Sequence, residues 1–541
     1  MHAMMAERRL QRVELERAEL ERVETIRAVG IAAVAALLIV LLGPPPGDAA
    51  AHLYRTWLVE RNEFVWDNLW FTGNYSILTY SPLYYFLAAT LGSVVVNVAV
   101  VLVTAGCFAA LVVREWGPVA VWPARWLAVC AAGPLITGTA PYGLGLAAAV
   151  ACLLALQRGR RLPGVALAAI TLASSALAFF FLVLTLAAVA FVRRRAARQH
   201  VGVAVPLALL GLVWLLVWQL FPSDGRYPFQ WWTLAIVTGV AGCGFVLAIR
   251  GPESTRLMAA LFGLWLASCL VLFVVPSPAG EIVTRLRYLV FPLMLLTVLL
   301  GGSRPRWLAI LALVGAAAYN VVPYAASVWV RVTGDDRAAQ QEYWQPAIDY
   351  LDEHHSPDHV VGVVATGAHW EAYHLPRSGI AVVRGWYRQI DMVQNEVLYD
   401  DSATPSDYVR WLHDNAVRFV IMPDVRLDPH TGEREAQLVE AADLEVAFLH
   451  DDLTIYEVPE ATQLLTGTSS ATVEQLDHAE LHGTVGAPGT YRLRLRWSPH
   501  WTVTSGDVTL EEHPESGTIV LVAAEAGAFS LGVDVELPLF T

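Results

Sequence analysis

Three residues able to do acid–base and phosphate chemistry recur at helical spacing early in the chain: Asp48, His52 and Arg55. Spacings of i, i+4 and i+7 place them on one helical face. Asp48 directly follows Pro44-Pro45-Pro46-Gly47, a stiff turn that would hold the carboxylate just outside the preceding apolar run. Such a carboxylate can take a proton from an acceptor hydroxyl while a nearby cation holds a phosphate. Asp48 could equally cap a helix starting at Ala49. The aromatics around it, Trp57, Trp66, Trp70, Tyr75, Tyr80, Tyr84 and Tyr85, could equally form an interfacial belt. Glu60, Glu63 and Asp67 are further acids of the same loop.

A second constellation lies at Pro276–Tyr288, with Glu281, Arg285, Arg287 and Tyr288 where another apolar run begins. Guanidinium is costly in hydrocarbon and must reach the interface or a partner. A phosphate oxygen suits it bidentately; snorkelling or pairing with Glu281 is the plainer reading. Asp224 and Arg226 read first as parts of a turn. His354, His355, His359, His369 and His374 accompany Glu371. His369 and His374 are five apart, not the four that puts two imidazoles on one helical face, so surface histidines or groups lining a sugar site are expected, not a metal. Arg492, Arg494 and Arg496 alternate along a strand and share one face, which reads as solvated or as an acidic-glycan or docking surface. No G-x-x-x-x-G-K-[ST] loop and no G-x-S-x-G elbow is present, which argues against direct ATP driving and that hydrolase chemistry.

The elements that must position these groups follow from composition. The 541 residues are 56% hydrophobic and 16% charged, with mean hydropathy +0.48. Soluble domains carry about 25% charged residues, so the chain is expected to span a bilayer. Residues 1–330 hold 24 Arg and 14 acids, and residues 331–541 hold 12 Arg and 35 acids, with no Lys anywhere. An acidic C-terminal part argues against nucleic acid as a partner. Residues 7–27 read as a polar cytoplasmic helix; apolar runs follow near 28–43, 79–113, 119–134, 142–157, 163–176, 177–192, 201–221, 231–249, 256–275, 287–301 and 307–330, about 11 crossings. One set of loops holds Arg114, Arg158, Arg160, Arg161, Arg193, Arg194, Arg195, Arg198, Arg250, Arg256, Arg304 and Arg306. That side, shared with the N-terminus, is expected to be cytoplasmic, which exports everything after 330. Residues 331–460 alternate strand and helix patterns, with His359–Val364, Ile380–Arg384 and Arg418–Met422 as strands and Trp344–His354 and Ser406–Asn415 as helices, an α/β domain. Residues 461–482 read as a linker, and 483–541 as strands of a small β-sandwich. The fold class is thus an α-helical polytopic membrane domain over 28–330, then an exported α/β domain and a β-sandwich. The five cysteines lie in apolar runs, so no disulfide is expected in the C-terminal part.

One span, a long exported loop opening with an acid, many further spans and an exported C-terminal part resemble the GT-C class of membrane glycosyltransferases. GNYSILTYSPLYY, VVPSPAGEIVTRLRYLVFP and ATGAHWEAYHLP…RGWYRQIDMVQN also resemble a group of actinobacterial integral membrane proteins, some labelled 6-pyruvoyl-tetrahydropterin synthase-related. The class resemblance implies a polyprenyl-phosphate sugar as donor, a glycan or lipid acceptor, the inner membrane as location, and an essential acid in the first exported loop, matched by Asp48. His52, Arg55, Glu63, Asp67, Arg285, Arg287 and Tyr288 then bind substrate. Many members of the class pair two acids there, whereas Asp48 is followed by Ala49-Ala50-Ala51, so Glu63 or Asp67 could share the role. A divalent metal is allowed but required by no residue pattern, and no protein partner is indicated. The rival readings are a transporter or flippase of lipid-linked sugars and a non-catalytic envelope-assembly protein.

Overall fold

The computed structural model describes residues 2–75, 77–78, 80–193, 201–222, 225–301, 305–333 and 337–535. Arg194, Arg195, Arg198, Asp224 and Arg304 lie outside the described residues. The chain divides into two compact units. The first is Met1–Gly47, Tyr80–Leu220 and Arg226–Val332; the second is Asp48–Thr79, Phe221–Gly225 and Thr333–Thr541.

The first unit is helical. Eight of its described helices are long and apolar enough to cross a membrane, and Pro82–Leu91, Arg161–Ser174 and Ala176–Val192 are shorter apolar helices. The run expected at 119–134 is the ten-residue helix Val121–Cys130, which continues Ser93–Trp116 after a turn at Gly117, where φ is +63°. The polar stretch 7–27 and the first apolar run are one 41-residue helix, His2–Leu42. Its Ala28, Ala32 and Ala36 are fully buried at four-residue spacing. Small side chains at that period let two helix backbones approach closely. Ser93–Trp116 answers with Ala105, Gly106 and Ala109; a Cβ on Gly106 would lie 3.0 Å from Val29.

Acids of the first helix pair with arginines elsewhere in this unit. Glu24 is 1% exposed and accepts from Arg125 Nε and Nη2, both at 2.8 Å, and from Arg27 at 2.6 Å. Glu21 holds Arg158 at 2.7 Å and Arg114 at 3.4 Å, and Glu115 holds Arg193. A buried carboxylate persists only when its lone pairs are filled this way. The Glu21–Glu24 stretch of the first helix therefore lies level with Arg114, Arg125 and Arg158.

The helix Arg287–Gly301 contains Pro292, which has no N–H to give to the carbonyl of Tyr288. Asn320, fully buried on the helix Arg306–Thr333, fills the gap: its Nδ2 donates to the carbonyls of Arg287 at 2.8 Å and Tyr288 at 3.2 Å. The preceding 3-10 turn, Gly280–Leu286, starts where φ is +34° and a Cβ would lie 1.7 Å from the Tyr227 carbonyl oxygen. Glycine is required there by contact as much as by conformation.

The second unit carries the strands. β1 (Val360–Val363), β2 (Val417–Pro423), β3 (Glu445–Leu449) and β4 (Leu453–Glu457) form one sheet in the order β1-β2-β4-β3. β1 and β2 run parallel and the other pairs antiparallel. The expected strand at 380–384 is reduced to single parallel bridges, Val361 to Val382 and Val382 to Trp70. The segment 48–79 thus supplies an outer edge to this sheet. The expected helices appear as Gln341–His354 and Pro405–Asp414, the latter closed by a Thr404–Asp407 capping box.

Two further antiparallel sheets follow. β5 (Leu465–Gly467), β8 (Gly489–Arg496), β10 (Val508–Glu512) and β11 (Thr518–Ala523) are ordered β10-β11-β8-β5. β6 (Ala471–Leu476), β7 (Glu480–Val485), β9 (Trp501–Ser505) and β12 (Gly527–Val533) are ordered β6-β7-β12-β9. β5 and β6 lie inside the stretch read as a linker. β8 buries Tyr491, Leu493 and Leu495 while Arg492, Arg494 and Arg496 take the other face, the period of two that its sequence dictates.

Candidate functional site

Within the second unit, Asp48 stands at the N-cap position of the helix Ala49–Glu60, yet its side chain makes no capping hydrogen bond. Its φ of −95° and ψ of 22° depart from the extended backbone that aims a capping side chain at the helix. The carboxylate is half-buried and stays available to other partners. His52 and Arg55, one and two turns on, are buried. Arg55 lies 5.5 Å from the Trp70 ring and 5.1 Å from that of Tyr387, so aromatic faces take up its charge.

Asp67 is fully buried and committed to structure. Its Oδ1 accepts from the Leu69 N–H at 3.0 Å and from His478 Nδ1 at 2.8 Å, and Oδ2 accepts from the Tyr54 hydroxyl at 3.1 Å. Glu63 lies 3.4 Å from the other ring nitrogen of His478. Burial disfavours the imidazolium, but the bond to Asp67 and the charges of Asp67 and Glu63 outweigh it and raise the His478 pKa above its usual 6.5. Trp70 Nε1 donates to the Ala372 carbonyl at 2.9 Å, and Gly385 leaves room for its ring, since a Cβ there would come within 2.4 Å. The loop after the first span is therefore a docked part of the second unit. Of its two extra acids, Asp67 is a buried latch residue, whereas Glu63, beside His478, is half-buried as Asp48 is.

In the first unit, Arg287 and Glu281 line a cavity of about 660 Å³, within the usual range for ligand sites, about 300–1,000 Å³. Its walls come from the helices Trp231–Arg250 and Arg306–Thr333, with Ile236, Gly239, Gly315 and Val322 giving a largely apolar surface. Arg287 Nε is buried without a hydrogen-bond partner among the described residues, and its guanidinium lies 5.6 Å from the Tyr288 ring. Glu281 accepts from the Gln230 N–H at 3.1 Å. Tyr288 turns into the helix core, stacked on Tyr324 at 5.5 Å. Arg285 gives its carbonyl to the Tyr142 hydroxyl at 3.4 Å.

A third group joins His369 and Glu371, noted in the sequence, with Arg384, Asp391, Asp428 and Glu435, which sequence reasoning missed. It sits where β1, the Val382 segment and β2 end, the carboxyl edge of the parallel part of the sheet. Arg384 is buried and binds Asp391 through Nε at 3.0 Å and Nη2 at 2.7 Å, Glu435 at 2.6 Å and Thr431 at 3.0 Å. Burial, opposed by Arg384 and aided by Asp391, raises Glu435 to about 7. His369 is stacked 3.6 Å from Trp386, with Nδ1 3.1 Å from Glu371 Oε1. Its Nε2 faces Asp428 Oδ1 at 3.7 Å, beyond hydrogen-bond reach. Burial opposes the charged ring, but Asp428 and Glu371 together raise its pKa. Of the five histidines read as surface groups or as lining a sugar site, His354 is exposed and His355 half-buried, whereas His359, His369 and His374 are buried and are not surface groups; His374 donates to the Ala339 carbonyl at 3.1 Å. No cluster of His, Cys, Asp and Glu able to hold a metal ion occurs among the described residues.

Compared with known proteins, the chain matches no family model and no curated sequence.

Proposed function

We propose that the protein is a membrane glycosyltransferase that moves a sugar from a polyprenyl phosphate to a cell-envelope acceptor. The observation that carries this reading is the cavity that combines apolar walls with Arg287 at its edge, the chemistry a lipid phosphate needs. Resemblance to the GT-C class supplies the reaction type. In the transfer the acceptor oxygen attacks the anomeric carbon, the bond from that carbon to the phosphate oxygen breaks, and Asp48 takes the hydroxyl proton. Arg287 and Arg285 stabilise charge developing on the leaving phosphate. In this reading the shorter apolar helices also cross, giving about 11 spans. The arginine-rich end faces the cytoplasm, and the second unit lies outside the inner membrane.

The test is sugar transfer from polyprenyl-phosphate donors by wild type, Asp48→Asn and Arg287→Ala. Asn caps a helix as well as Asp does but cannot act as the base. Asp48→Asn should lose about two to four orders of magnitude in rate at unchanged stability, and Arg287→Ala should weaken lipid-phosphate binding. A fully active Asp48→Asn variant removes Asp48 as base. A wild type that transfers from no donor favours lipid-sugar transport or assembly.

A further inference from the structure

The α/β part of the second unit holds a small pocket that the transfer chemistry does not use. It is lined by His369, Glu371, Arg384, Trp386, Arg388 and Asp428, among others. The site lies outside the carboxyl ends of parallel strands, where open α/β sheets characteristically bind ligands. Its inner wall is already saturated. Arg384 spends its guanidinium on Asp391, Glu435 and Thr431. Asp428 Oδ2 accepts from the backbone N–H groups of His430 at 3.1 Å and Thr431 at 3.0 Å.

The outer wall is not saturated. His369 has a side chain 7% exposed, and its Nε2 has no hydrogen-bond partner among the described residues. Glu371 fixes the other ring nitrogen, and Trp386 covers the ring face. The free nitrogen and Asp428 Oδ1 stand 3.7 Å apart, and Arg388 Nη2 reaches the same oxygen at 3.4 Å. A group set beside this gap meets a donor in Arg388, an acceptor in Asp428 Oδ1, and the His369 nitrogen, which donates from the charged ring and accepts in the neutral one whose Nδ1–H faces Glu371. It must therefore both accept and donate, which a hydroxyl does and a carboxylate or phosphate oxygen does not.

Size and charge narrow the ligand. The pocket is about 10 Å³, room for about one water-sized group. His369, Arg384 and Arg388 are offset by Glu371, Asp391, Asp428 and Glu435, so no surplus cation awaits an anion. Arg388, with a side chain 18% exposed, and the half-buried Trp386 form the rim. We propose that this pocket is a saccharide subsite that takes one hydroxyl of a neutral sugar between His369, Arg388 and Asp428. Identifying that sugar with the acceptor glycan rests on the transferase reading; the binding itself does not.

The experiment is saturation-transfer NMR on the full chain in lipid nanodiscs free of glycoside detergent, without any sugar donor. The probes are neutral methyl glycosides and short neutral oligosaccharides, with sodium phosphate and acetate as competitors. Saturable binding of a neutral sugar is expected, unaffected by either anion. It should weaken about tenfold or more in His369→Gln and in Arg388→Gln. Arg388→Gln leaves the bonds of the Asp428 turn in place, so it carries the test if His369→Gln melts early. Absence of binding across the panel, equal binding by a folded Arg388→Gln variant, or displacement by phosphate or acetate overturns the proposal. Because no donor is present, failure here leaves the transfer assay of Asp48→Asn untouched, and the reverse also holds.

Discussion

Replacing Asp67 by Asn isolates the role of the second acid in the first loop. Asp67 accepts three hydrogen bonds, from Leu69, Tyr54 and His478, in a fully buried setting. Asn can still accept from the Leu69 amide and can reverse its bond with the Tyr54 hydroxyl. It cannot offer a negative charge to a protonated His478. The loss is one charge-assisted bond, about 1.5–3 kcal/mol. At about 1.4 kcal/mol per decade, the segment 48–79 should open about ten to a hundred times more often. Asp67→Ala loses all three bonds and strands a buried imidazolium, about 3–5 kcal/mol. Amide exchange by mass spectrometry on peptides covering 48–79 reads this directly, with peptides from the helix Ser93–Trp116 as internal control. Unchanged exchange in Asp67→Asn together with lost transfer would refute the latch and return Asp67 to the chemistry.

Two further outcomes follow from the same geometry. The carboxylates of Asp67 and Glu63 raise the His478 pKa above 6.5, so the stabilisation from its charged form is complete below about pH 6.5 and is lost as pH rises through the raised value. Exchange of the Asn68 amide, which donates to the His478 carbonyl, corrected for its intrinsic pH dependence, should speed up over that range in wild type but not in His478→Gln. Asn320→Leu strands the Tyr288 carbonyl, which has no N–H from Pro292, at a cost of about 1–3 kcal/mol. A lower melting temperature and weaker donor binding check it, and an unchanged melt removes the role assigned to Asn320.

The sequence was most legible where one period governed a long stretch. The apolar runs fall on apolar helices, although 119–134 joins the preceding helix in one candidate span and 79–113 divides at Gly92, and the alternation Tyr491–Trp497 falls on β8 with its arginines on one face. The helices Gln341–His354 and Pro405–Asp414 were legible from pattern and capping residues. The strand at 380–384 was misread because a short apolar run records burial without recording pairing. The membership of 48–79 in the second unit was hidden for another reason: Asp67 and His478 are 411 residues apart, and no local period encodes such a pair. Arg384, Asp391 and Glu435 were missed likewise, although a charged residue ending the apolar run at 380–383 was a usable signal. His369 was noticed for its spacing to His374, whereas its role comes from a left-handed backbone, φ +55°, that turns the ring under Trp386.

The docking of 48–79 also has a cost in time. Ribosomes add about 5–20 residues per second. The hairpin bearing His478 therefore emerges about 20–80 seconds after Asp67, given their separation of 411 residues. For that interval Trp66, Trp70, Tyr54 and the Asp67 carboxylate have left the ribosome without the surfaces that later bury them. The segment is made before the parts of the second unit that bury it and reaches its place only after them. Newly made chains should consequently pass through a window in which a chaperone or protease can grip this segment, and the β6–β7 turn that delivers His478 closes it.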